Sequence, residues 1–154
     1  MSSGSVRPPV ALAFALMGFV ALMIFGLGMT SLATETDVIS TPGLGQFPGI
    51  FGPILAIAVF AGTLWSFVRV PHPTFWGSLV VAVATFLAYL LGVGVVALVV
   101  GADPAAAAGT VGHLATTWYG LVVFGAALVS AWAGIALART HAGRPRWPWE
   151  KREQ

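Results

Sequence analysis

The side chains that could do chemistry are few. The imidazoles are His72, His113 and His141, the carboxylates are Glu35, Asp37, Asp103, Glu150 and Glu153, and Lys151 is the single lysine. There is no cysteine. Disulfides, thiolate metal sites, iron–sulfur clusters, attached c-type haem and thiol nucleophiles are therefore excluded together. A zinc site needs third and fourth protein ligands, and a bis-histidine haem needs imidazoles projecting into a helix bundle. His113 falls at the opposite end of the spans from His72 and His141, so only those two could meet, without the further ligands either site needs, and no metal and no cofactor is expected. Ser130 has no Gly-x-Ser-x-Gly elbow around it. Its own apolar run offers neither histidine nor carboxylate, so a serine nucleophile is not expected either.

The elements that must position these residues are set by an unusual composition. Of 154 residues 58% are hydrophobic and 8% charged, with a mean hydropathy of +0.92, whereas ordinary soluble domains carry about 25% charged residues. Twelve charges cannot cover a globule of this size, so the natural solvent is a bilayer. Charged residues cut the chain into four uncharged intervals: Arg7 to Glu35, Asp37 to Arg69, Arg69 to Asp103 and Asp103 to Arg139. Crossing the hydrocarbon takes about 20 apolar residues in a helix. Spans are accordingly expected over residues 10–32, 49–68, 75–100 and 114–138, forming one all-α membrane domain over 1–138. Residues 139–154 form a basic tail. The first apolar block is longer than the roughly 7–15 residues of a signal-peptide core, so it reads as a retained helix even though Ser31-Leu32-Ala33 has the small-residue spacing of a cleavage site.

With four crossings, all seven basic residues (Arg7, Arg69, Arg139, Arg144, Arg146, Lys151 and Arg152) fall on one side and Glu35, Asp37 and Asp103 on the other. The positive-inside rule then puts both termini and the short 70–74 turn in the cytoplasm of a bacterial cell, with 33–48 and 101–113 outside the plasma membrane. The same asymmetry accounts for the sequence pI of about 9.7 without a nucleic-acid partner.

No Asp, Glu, Lys or Arg lies inside any of the four spans. Coupled transport draws on intramembrane ionisable groups for relays and substrate sites, so neither a proton-coupled exporter nor a retinal protein is expected. Small residues supply the other signal. Ala126, Ser130, Gly134 and Ala138 recur every fourth residue on the fourth span, and Ala84, Ala88 and Gly92 on the third. Such stripes let helix backbones approach closely in lipid, which makes these seven positions the candidate packing interface. Outside the first span, Pro42, Gly43, Gly45, Phe47 and Pro48 read as an ordered turn leading into a helix start, a candidate docking loop. In the tail, Arg144, Arg146, Trp147, Trp149, Lys151 and Arg152 suit the headgroup layer of an anionic leaflet.

Two resemblances arise at these motifs. The run Pro42-Gly43-Leu44-Gly45-Gln46-Phe47-Pro48, followed by an apolar helix ending at Arg69, resembles the Gly-x-Gly-x-Phe-Pro segment of the small membrane subunit of tripartite tricarboxylate transporters. That likeness implies a four-helix protein working beside a large permease and an extracytoplasmic solute-binding protein. The chain departs from the pattern in lacking a basic segment between its later helices and in ending on a long basic tail. Over more of its length, with Asp37-Val38-Ile39 outside the first helix and Arg144-Pro145-Arg146-Trp147-Pro148-Trp149-Glu150 at the close, the chain is similar to uncharacterised small four-helix membrane proteins of actinobacteria. That likeness implies no activity and no site residues. The expectation is a multi-pass membrane protein without catalysis of its own, serving as an accessory or scaffold subunit. Its partners are the bilayer and either another integral membrane protein or a second copy.

Overall fold

The computed structural model describes residues 6–35, Val38 and 47–140. Its elements are α1 (Pro8–Thr34), α2 (Phe47–Val68), α3 (Trp76–Val99), α4 (Pro104–Thr116) and α5 (Trp118–Arg139). The described residues are all helix and connection, and α1, α2, α3 and α5 are each long and apolar enough to cross a membrane. Prolines open α1 and α4, where the missing N–H would have no partner in any case. α1 stops at Glu35, which takes a left-handed conformation at φ 50°.

Burial follows a four-residue repeat, as expected when helices pack along one stripe. α1 buries Ala11, Ala15, Phe19 and Met23, and α2 buries Pro48, Gly52, Ala56, Phe60, Leu64 and Val68. The two helices meet through Phe19 and Phe60, whose rings stack at 4.5 Å. Elsewhere glycine sets the spacing. A methyl added at Gly52 would lie 2.7 Å from Val93, one at Gly77 2.7 Å from Phe67, and one at Gly26 2.5 Å from Val122. These contacts run α2 antiparallel to α3 and α1 antiparallel to α5. The faces turned away from the core are apolar, with Phe14, Met17, Ile24, Phe25, Leu91 and Val99 all more than half exposed. In water such a surface would aggregate, whereas against lipid tails it is the expected exterior.

The sequence-based expectation of an outer connection over 101–113 and a span starting at 114 differs from the structure. Residues 104–116 form a helix of their own, and the last span opens at Trp118. The physical reason is local. Asp103 caps α4, its Oδ2 accepting from the Ala105 N–H at 3.1 Å; Pro104 follows at the first position, and four alanines, the strongest helix formers, come next. α4 does not stand away from the bundle. Ala97 packs with Ala107 and Gly94 faces Val111. Below them Phe86 meets Phe124 edge to face at 6.2 Å, and Phe75 stacks with Trp132 at 6.2 Å. α4 and α5 thus keep one antiparallel register along α3 and form a single rod, interrupted at Thr117.

Candidate functional site

The candidate packing residues of α3 and α5 include members of two different seams inside the chain. On α3, Ala88 and Gly92 are buried and Ala84 is half-buried. Gly92 faces α2, where a methyl would come within 3.0 Å of the Gly52 Cα. On α5, Ala126, Ser130 and Gly134 are buried and Ala138 is half-buried. Gly134 faces α1, a methyl there lying 2.7 Å from Ala15 Cβ and 3.3 Å from Leu64. The stripes therefore join α3 to α2 and α5 to α1. Sequence reasoning missed their counterparts, Gly52, Gly18 and Gly26; an isolated glycine in an apolar run gave no repeat to recognise.

Two hydroxyls in the core, Thr85 Oγ1 and Ser130 Oγ, have no hydrogen-bond partner. Ser130 Oγ rests against Gly18, 3.6 Å from where a Cβ would stand. Other hydroxyls turn back on their own helices. Thr30 donates to the Gly26 carbonyl at 2.8 Å and Thr63 to that of Val59 at 2.6 Å, the usual resolution for threonine within a span. Thr34 Oγ1 and Tyr119 Oη lie 3.2 Å apart, tying the end of α1 to the start of α5.

The break at Thr117 is the most polar feature of the rod. Thr117 is extended at φ −99° and ψ 173°. Its N–H and its hydroxyl both donate to the His113 carbonyl, at 3.0 and 2.7 Å, and the Thr116 hydroxyl donates to that of Gly112 at 2.8 Å. The Gly120 N–H, which would serve the Thr116 carbonyl in a continuous helix, donates to Thr117 instead at 3.1 Å. Leu114, Ala115 and Thr116 therefore lose their in-helix donors. Gly120 is required here, since any Cβ would run into the Leu114 carbonyl oxygen. Beside the break lies an open groove of about 700 Å³ bounded by Phe86, Thr116, Thr117, Trp118, Leu121 and Phe124.

His72, in the α2–α3 turn, and His113, in the last turn of α4, lie at opposite ends of the bundle, and His113 is exposed. No group of three potential metal ligands occurs among the described residues. At the basic end Arg139 sits 4.5 Å over the Phe75 ring, an attraction between cation and ring face. Of the candidate docking loop, Phe47 and Pro48 form the first two residues of α2, the former exposed and the latter buried. Pro42, Gly43 and Gly45 lie outside the described residues, as do His141 and the six tail positions Arg144, Arg146, Trp147, Trp149, Lys151 and Arg152.

No curated protein matches the chain, and no solved structure does. One family model matches residues 7–154, nearly the whole chain and all the described helices from α1 to α5. The chain belongs to that family, DUF6121, a family of unknown function.

Proposed function

We propose that this protein is a non-catalytic accessory or scaffold subunit of a bacterial plasma-membrane complex, with both termini in the cytoplasm. The observation that carries this reading is the complete lack of Asp, Glu, Lys and Arg between the ends of the four spans. Among the described residues, the unpartnered polar side chains buried in the core are hydroxyls, Thr85 and Ser130, which do not titrate in the physiological range and so supply no proton relay. A chain built in this way acts through contacts rather than turnover. Gly92, Ser130 and Gly134 serve seams within the chain, so a partner would meet the apolar outward faces of α1 and α2, around Phe14, Ile24, Phe25 and Phe51.

Photo-crosslinking from Ile24 and Phe51 in living cells, followed by gentle-detergent purification and mass spectrometry, tests this. A recurring integral membrane protein or a second copy joined through both positions is the expected result. Recovery of the lone monomer at native abundance would contradict it.

A second reading, the small membrane subunit of a tricarboxylate-type transporter, is favoured by one feature. Phe47-Pro48 of the Gly-x-Gly-x-Phe-Pro run opens α2, and the helix ends at Val68, one residue before Arg69. On this reading a large permease copurifies and growth on a carboxylic acid requires both chains.

A further inference from the structure

One end of the bundle gathers positive charge at a single level. Gly134 on α5 has Ala15 and Leu64 against it, and a Cβ there would stand 3.7 Å from the Ala11 carbonyl oxygen, so α1, α2 and α5 meet at this point. From that contact each helix runs little more than one further turn to an arginine: Arg7 before α1, Arg69 after α2 and Arg139 at the end of α5. At 1.5 Å per residue all three lie about 6–8 Å beyond the shared contact. Each is exposed. α3 begins at the same level, because the Arg139 guanidinium lies 4.5 Å over the Phe75 ring. The acidic side chains among the described residues are Glu35, which ends α1, and Asp103, which caps α4, both at the far end. No carboxylate among the described residues is therefore placed to pair with the three guanidiniums.

The Phe75 ring holds the guanidinium by its charge and takes none of its N–H donors in ordinary hydrogen bonds, which leaves a planar fork that matches the oxygens of a phosphate. The surroundings select the kind of phosphate. Phe75 also stacks with Trp132 at 6.2 Å, and Trp132 and Trp76 are 55% and 77% exposed. Exposed tryptophan beside arginine is the pattern of the membrane–water interface. Leu79 and Val83 follow Phe75 at one-turn steps on the same face of α3 and are exposed as well. A free phosphate would use the arginines and leave this apolar strip bare, whereas a phospholipid uses both. Three arginines without a carboxylate favour a headgroup of net negative charge, since a zwitterionic headgroup brings its own cation toward them. We infer that the basic end of the bundle binds an anionic phospholipid, its phosphate on the Arg139 guanidinium, its charge met also by Arg7 and Arg69, and an acyl chain beside Phe75 and Trp132.

Native mass spectrometry of the full-length protein, released from detergent in an equimolar mixture of phosphatidylglycerol and phosphatidylcholine, reads this as the ratio of the two adducts. The wild-type ratio is expected to favour phosphatidylglycerol. Arg139→Gln should lower it about fivefold, the contribution of one basic side chain near an anionic lipid. Phe75→Leu leaves every charge in place but removes the ring under Arg139, and should lower the ratio two- to fivefold, as loss of a cation–ring contact does. Glu35→Gln, at the far end, should leave the ratio as it is, and excess inorganic phosphate should not displace the lipid. The basic tail is the same in every variant, so differences between variants report on the helix ends alone. Equal adducts in the wild type, a ratio that Arg139→Gln or Phe75→Leu does not move, an equal effect of Glu35→Gln, or displacement by inorganic phosphate would each overturn the assignment. Arg69→Gln, expected to lower the ratio about as much as Arg139→Gln, keeps the test decisive if the latter variant fails to fold.

Discussion

At the scale of single residues, the fold depends on which glycines are crowded and which are not. Gly134 has Ala15 and Leu64 against it, while Gly125, on the same helix, has nothing within 4 Å. Gly134→Leu is therefore expected to push α1 away from α5 at a cost of roughly 1–3 kcal/mol, the usual penalty for overpacking. Gly125→Ala is expected to be neutral or to stabilise by up to about 1 kcal/mol through helix propensity. Unfolding in mild detergent checks both; equal effects would show that the α1–α5 seam is not set by close approach. The unpartnered hydroxyls carry the opposite expectation. Ser130→Ala and Thr85→Val each remove a buried polar group that satisfies no partner, so stability should hold or rise by about 1 kcal/mol. A loss of that size in the same assay would mean that the hydroxyl has a partner in the membrane.

At the scale of elements, α4 depends on its first turn. Asp103→Ala removes the side-chain acceptor for the Ala105 N–H and is expected to cost about 1 kcal/mol. The effect should appear as faster hydrogen exchange at Ala105 to Ala108, with the amides of α1 to α3 unchanged; exchange rates that do not move would show that packing on α3 alone holds the helix. The Asp-Pro-Ala-Ala-Ala-Ala run that encodes α4 is a helix start signal that the reading of 101–113 as a connection passed over. Its apparent merger with the next span came from the absence of any charge between Asp103 and Arg139, which hides a break made by two threonines rather than by proline. The four spans were legible for the complementary reason: charges at Arg7, Glu35, Arg69, Asp103 and Arg139 leave only membrane-length intervals between them. Which stripe meets which helix was not legible. Gly92 pairs with α2, and Ser130 and Gly134 with α1, because of shape complementarity to Gly52, Ala15 and Gly18, none of which belongs to a recognised stripe. The groove at Thr117 was hidden likewise, since it exists only where α4 folds back along α3.

At the scale of the whole molecule, the central claim is that four helices cross the bilayer and α4 does not. The thirteen residues of α4 reach only about 20 Å at 1.5 Å per residue, short of the roughly 30 Å of hydrocarbon. The start of α4 packs beside the end of α3, Ala107 against Ala97, so Ala106 lies at that end of the bundle, with Thr140 at the other. The chain has no native cysteine, so single cysteines can be introduced without background. Labelling intact cells with a membrane-impermeant maleimide tests the claim most directly: Thr36→Cys and Ala106→Cys should react, and Ser3→Cys and Thr140→Cys should react only after permeabilisation. The reverse pattern would contradict the orientation, and reaction of Ala106→Cys together with Thr140→Cys in intact cells would contradict the fourth crossing itself.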